Sequence, residues 1–79
     1  MLVTTKAADE ARDELGMEPA DIVSFLPELV EEDFERREPS TQRQGDDIWV
    51  FIAAVEHNEL WIRLIERNGI VVVSFHEAG

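Results

Sequence analysis

Leu60-Trp61-Ile62-Arg63-Leu64-Ile65-Glu66-Arg67-Asn68-Gly69-Ile70-Val71-Val72-Val73-Ser74-Phe75-His76 reads as two β-strands joined at Asn68-Gly69. Asn-Gly is a strong short-range hairpin signal, because a tight two-residue turn needs positive φ at both positions. On that turn Arg67 faces Ile70. Counting outward, Ile65 faces Val72, Arg63 faces Ser74 and Trp61 faces His76. Side chains alternate between the two faces of a strand. Trp61, Arg63, Ser74 and His76 therefore share one face, and Ile62, Phe75, Leu64 and Val73 share the other. The second face is wholly apolar and reads as the core. The first reads as an open polar surface.

Upstream of this hairpin, Ile48-Trp49-Val50-Phe51-Ile52 has the β-branched and aromatic composition of a buried strand. Its apolar neighbours point to a core position for Trp49. Glu56-His57-Asn58-Glu59 reads as a turn, with His57 exposed. Residues 38–47 are polar and turn-forming and read as a long loop, of the kind that is often functional. Asp33-Phe34-Glu35 begins a short strand or an extended arm. Further back the pattern is helical. Thr5 is placed to cap a helix that ends at Leu15 before Gly16, with Ala7, Ala8, Ala11 and Leu15 on one face. A second helix runs over residues 19–28. Pro19 sits in its first turn, Ile22, Val23, Leu26 and Leu29 form its apolar stripe, and Pro27 kinks or tightens its end. The expected fold class is α+β, in a single domain over residues 1–79. Two N-terminal helices pack on a three- to four-stranded antiparallel sheet.

The chain has no cysteine, so it holds no disulfide or thiolate metal site, which suits a reducing cytoplasm. No apolar run approaches the roughly 20 residues of a membrane span, and the first residues do not read as a secretory signal. Eighteen Asp and Glu against seven Lys and Arg give a net charge of −11. Nucleic-acid binders usually carry a basic footprint. So acidic a chain reads either as a solvated shell suited to a salty cytoplasm or as a surface shaped for a basic protein. Either leaves room for a local basic patch.

The polar face of the hairpin can supply such a patch. Bases of single-stranded RNA stack on aromatic rings and Arg planes. Arg63 can grip a phosphate and stabilise the charge of its transition state. The imidazole of His76 belongs to the one side-chain type that ordinarily exchanges protons near neutral pH. Ser74 can orient a phosphate oxygen. Arg36, Arg37, Arg43 and Gln44 can line the path of the RNA backbone. The alternative is a solvated sheet face on which Trp61 and Arg63 form an ordinary cation–π pair, with the arginines balancing Glu31, Glu32, Asp33, Glu35 and Glu38. A metal site shared by His57 and His76 falls short of the three or four ligands zinc wants. No metal or other cofactor is expected.

The run Ile70-Val71-Val72-Val73-Ser74-Phe75-His76-Glu77 resembles the closing strand of the MqsR family, the motility quorum-sensing regulator toxins. Thr4-Thr5-Lys6, Asp13-Glu14-Leu15-Gly16-Met17 and Glu32-Asp33-Phe34 recur in the family's order and spacing. The resemblance extends from Val3 to Glu77, without the family's usual N-terminal helix. It implies a minimal RelE-like fold and an mRNA interferase, an endoribonuclease toxin of a toxin–antitoxin system. Such toxins cleave mRNA at short sequences without a metal and are neutralised by a partner antitoxin. By the same resemblance Arg36 stands where the family has a functional lysine after Asp-Phe. Trp61 replaces a functional tyrosine, and His76 replaces a terminal lysine. Gln44 or Asp46 matches a family glutamine. Because these positions are substituted, a catalytically inactive, acidic, toxin-like module that only engages an antitoxin or another basic protein is the alternative.

Overall fold

A computed structural model describes residues 1–39, 47–55 and 58–78. The predicted elements are present in the predicted order, with two strands more than the hairpin pattern required. Strand β1 is Leu2–Val3, helix α1 is Thr5–Leu15 and helix α2 is Pro19–Phe25. Two single 3₁₀ turns follow, Leu26–Glu28 and Glu31–Asp33. The remaining strands are β2 (Phe34–Pro39), β3 (Asp47–Val55), β4 (Asn58–Glu66) and β5 (Ile70–Glu77). They form one five-stranded sheet in the order β1-β5-β4-β3-β2. The sheet is mixed, not purely antiparallel, because β1 runs parallel to β5, with Leu2 beside Val71 and Val3 beside Val72. Two residues of strand carry too little pattern to be seen in sequence. The other additional strand, β2, grows from the extended segment expected at Asp33-Phe34-Glu35.

Local chemistry sets the helix ends. The cap of α1 is Thr4, one residue before the expected Thr5: its hydroxyl accepts from the Ala7 N–H at 3.2 Å. Gly16 closes the helix in the left-handed conformation, φ 66°, which costs glycine little. In α2 the Glu18 N–H donates to the Asp21 carboxylate at 2.9 Å, and the helix tightens into a 3₁₀ turn around Pro27, where proline cannot supply an α-helical hydrogen bond.

The hairpin differs from its predicted form in an instructive way. Glu66 pairs with Ile70, so the loop holds three residues, Arg67, Asn68 and Gly69, with positive φ at Asn68 (53°) and Gly69 (119°). A longer loop shifts the register by one residue. A bulge at Val73 shifts it back, since Leu64 pairs with Val72 but Arg63 with Ser74. Ile65 consequently faces Val71 instead of Val72, while Trp61 opposite His76 and Ile62 opposite Phe75 stand as predicted. A one-residue slip exchanges the faces of a strand. The bulge is what keeps the polar set together.

The helices cover one side of the sheet. Ala7 and Ala11 of α1, Ile22 of α2, and Leu26 pack on Ala53, Leu60, Ile62, Val72 and Phe75. Phe75 is fully buried, its ring edge-on to Phe25 with centroids 5.9 Å apart. The small alanines let α1 approach β5 closely. Val23, expected in the stripe, faces solvent instead, and Trp49, expected in the core, is 40% exposed. Trp49 lies on the helix side of the sheet but beyond the helices, against Phe34 at 5.6 Å.

Candidate functional site

The side of the sheet away from the helices carries three rows of residues across the strands. In the middle row Arg36 pairs with Val50, Val50 with Arg63, and Arg63 with Ser74. In the next row Ile52 pairs with Trp61 and Trp61 with His76. On the other flank Glu38 pairs with Ile48. Strands lie about 4.8 Å apart, so residues distant in sequence become neighbours. Val50 is fully buried beneath the polar groups and gives them an apolar floor.

Trp61 is the hub of this face. The Arg36 guanidinium lies over its ring, 5.2 Å from the centroid, and that of Arg63 lies 5.7 Å away. His76 stands beside it with its ring nearly parallel, at 14° and 6.5 Å between centroids. The His76 Nδ1 is 2.8 Å from the Glu77 carbonyl oxygen. A carbonyl only accepts, so Nδ1 is the donor in this contact, and the tautomer compatible with it has its lone pair on Nε2.

Both arginines are also tied to one carboxylate. Glu38 Oε1 forms an ion pair with Arg63 Nη2 at 2.8 Å, and Oε2 accepts from Arg36 Nε at 3.2 Å. The Nε of Arg63 is buried and, among the described residues, finds no acceptor.

A second carboxylate borders the face. Glu10, on α1, accepts from the Ser74 hydroxyl at 2.9 Å and from the Phe75 N–H at 3.1 Å. One turn later Glu14 accepts from the Glu77 N–H at 3.2 Å. The i,i+4 spacing on the helix matches the two-residue repeat of the strand, so the two carboxylates cover the free edge of β5, which would otherwise invite pairing with another chain. Lys6 lies 3.5 Å from both Glu10 and the Ser74 hydroxyl. Burial pushes the Glu10 carboxyl up. The Phe75 N–H, the Ser74 hydroxyl and the charges of Lys6 and His76 outweigh it and hold the group below its ordinary 4.5.

A pH dependence follows. Unfolded Glu10 binds a proton more readily than folded Glu10, so its contribution to stability is present above about pH 4.5 and is lost as pH falls through the folded value. In urea melts the stability gap between wild type and Glu10→Gln is expected to be widest near neutrality and to close on acidification. A gap that widens as pH falls would contradict this role.

The structure thus brings together Arg36, Trp61, Arg63 and His76. Ser74 belongs to the same row but is buried, and its hydroxyl is spent on Glu10. It does not reach the surface to touch a phosphate. Arg37 is on the opposite side of the sheet, because neighbours in a strand point apart: it is paired with Asp47 and lies 4.9 Å over Trp49. Arg43, Gln44 and Asp46 in the loop, and His57 in the turn, fall outside the described residues. Glu38, Glu10 and Lys6 were not foreseen as site residues. Glu38 had a signal in sequence, since Arg36 and Glu38 share a face once 34–39 is read as a strand. Nothing in sequence tied Glu10 or Lys6 to Ser74, 64 and 68 residues away.

The family model for the motility quorum-sensing regulator, toxin of MqsA, matches residues 1–77. No curated protein and no solved structure matches the chain.

Proposed function

The chain belongs to the MqsR toxin family, and from that premise we propose that it is an endoribonuclease, the toxin of a toxin–antitoxin pair, which cleaves mRNA in the cytoplasm by attack of the RNA's own 2′-OH. The family implies an antitoxin partner. The observation that carries the nuclease reading is the convergence of Arg36, Arg63 and His76 on the indole of Trp61. Each group has a use in the reaction. The indole and the guanidinium planes offer stacking surfaces, each stacked base contributing on the order of 1–3 kcal/mol. His76, through Nε2, takes the 2′-OH proton. The freed oxygen attacks the adjacent phosphorus, the bond to the 5′-oxygen breaks, and that oxygen leaves as a hydroxyl with a proton from solvent water. Arg36 and Arg63 neutralise the charge that builds on the phosphoryl oxygens.

The test is cleavage of a defined RNA by the purified chain, with both new ends identified. Intramolecular attack leaves a 2′,3′-cyclic phosphate on one fragment and a 5′-hydroxyl on the other. Intact RNA, or a 5′-phosphate end, would overturn the reading.

One observation favours a second reading. Glu38 pairs with both arginines and offsets one of their two charges in a chain of charge −11. A toxin-like module without catalysis, which engages an antitoxin or another basic protein, fits that balance. It predicts partner binding and no RNA loss.

A further inference from the structure

The two oxygens of the Glu38 carboxylate go to different arginines, Oε1 to Arg63 and Oε2 to Arg36. Among the described residues, each arginine is held to it at a single nitrogen. A guanidinium is built to grip an oxyanion with two parallel N–H groups, and in Arg63 the donor beside the engaged Nη2, the buried Nε–H, has no acceptor among the described residues. A phosphodiester with two free anionic oxygens can take up both donors of that fork while also meeting Arg36. We propose that Glu38 is an internal occupant of an oxyanion site between Arg36 and Arg63, and that an RNA phosphate must displace it to bind.

This rests on the nuclease reading and adds a gate to it. With Glu38 in place, the two arginines are held close to one another over Trp61, an arrangement that two like charges would otherwise resist. The same carboxylate repels an incoming phosphate. Glu38 thus sets the arginines' spacing and weakens RNA binding at the same time. Weak or partly anionic ligands fail to displace it, whereas a strand that also stacks on Trp61 can, which selects for single-stranded RNA over free anions.

The test uses an oligoribonucleotide methylated at every 2′-oxygen, which keeps its phosphates and bases but cannot be cleaved, titrated into wild-type chain and Glu38→Gln by fluorescence anisotropy. Glutamine keeps the size and removes the charge. Glu38→Gln is expected to bind about tenfold tighter at low salt, the scale of the screened ion pairs it releases, and the advantage should shrink as salt rises. Wild-type RNA binding that Glu38→Gln leaves unchanged or weakens would overturn the gate and leave the nuclease reading standing. An absence of RNA binding by both proteins would overturn the nuclease reading, and the gate with it.

Discussion

Replacing His76 by alanine is expected to slow RNA cleavage by roughly 10²- to 10⁴-fold, the contribution a positioned acid–base group makes. The imidazole has a lone pair suited to taking a proton, whereas the arginines stay protonated and the Glu38 carboxylate is engaged by both of them. Its Nδ1 is occupied by the Glu77 carbonyl, which leaves Nε2 for the 2′-OH. The same bond fixes the ring's orientation from its own strand. The side chain is only partly buried and, among the described residues, makes no bond that holds the sheet together, so Glu77 and Phe75 keep their bonds to Glu14 and Glu10. The variant's urea melt is therefore expected to stay close to wild type while single-turnover cleavage collapses. Equal cleavage by wild type and His76→Ala would remove the imidazole from the mechanism.

The second large effect is on stability. Phe75→Ala is expected to cost about 3–5 kcal/mol, the range for a fully buried aromatic ring. A chain of 79 residues has only about 4–12 kcal/mol of stability to lose, at 0.05–0.15 kcal/mol per residue. Phe75 lies under both helices, in contact with the Phe25 ring, and its backbone N–H is one of the two edge groups that α1 covers. A cavity there loosens the strand that carries His76. A chemical denaturation midpoint far below wild type, with cleavage lost in parallel, is the expected result. A loss under 1 kcal/mol would mean that the site collapses without harm, or that the helices contribute little to the fold.

The acidity of the chain and the proposed nucleic-acid function are reconciled by location. Lys6, Arg36 and Arg63 are three of the seven Lys and Arg, and all lie on or beside the face that holds Trp61. The acidic residues have separate tasks nearby: Glu10 and Glu14 cover a strand edge, and Glu38 spaces the arginines. On the proposed function, a surface with this balance is expected to approach RNA slowly and hold it modestly, with binding that depends steeply on salt.

The site's central pair is legible in sequence, although the chain reaches it by a turn different from the one the sequence suggests. Trp61 opposite His76 was read from a two-residue turn, whereas the chain uses a three-residue loop and a compensating bulge at Val73. Both solutions keep the apolar residues inward, and burial of Ile62 and Phe75 is the stronger constraint on register. Positions fixed by nearby chain, such as the end of α1 at Gly16 and the tightening at Pro27, follow from local propensity. Those fixed by distant chain do not. The burial of Ser74 requires α1 to lie against β5, and the exposure of Trp49 requires the helices to stop short of β2. The placement of Arg37 away from Arg36 follows from strand alternation, once the segment is known to be a strand.

The most direct test is whether a base stacks on Trp61. The chain has two tryptophans, so in Trp49→Phe the indole of Trp61 is the sole source of tryptophan emission. Titration with the 2′-methylated RNA should quench that emission, saturating at the same RNA concentration as the anisotropy signal. RNA that binds while the Trp61 emission stays unchanged would contradict a working surface centred on that ring.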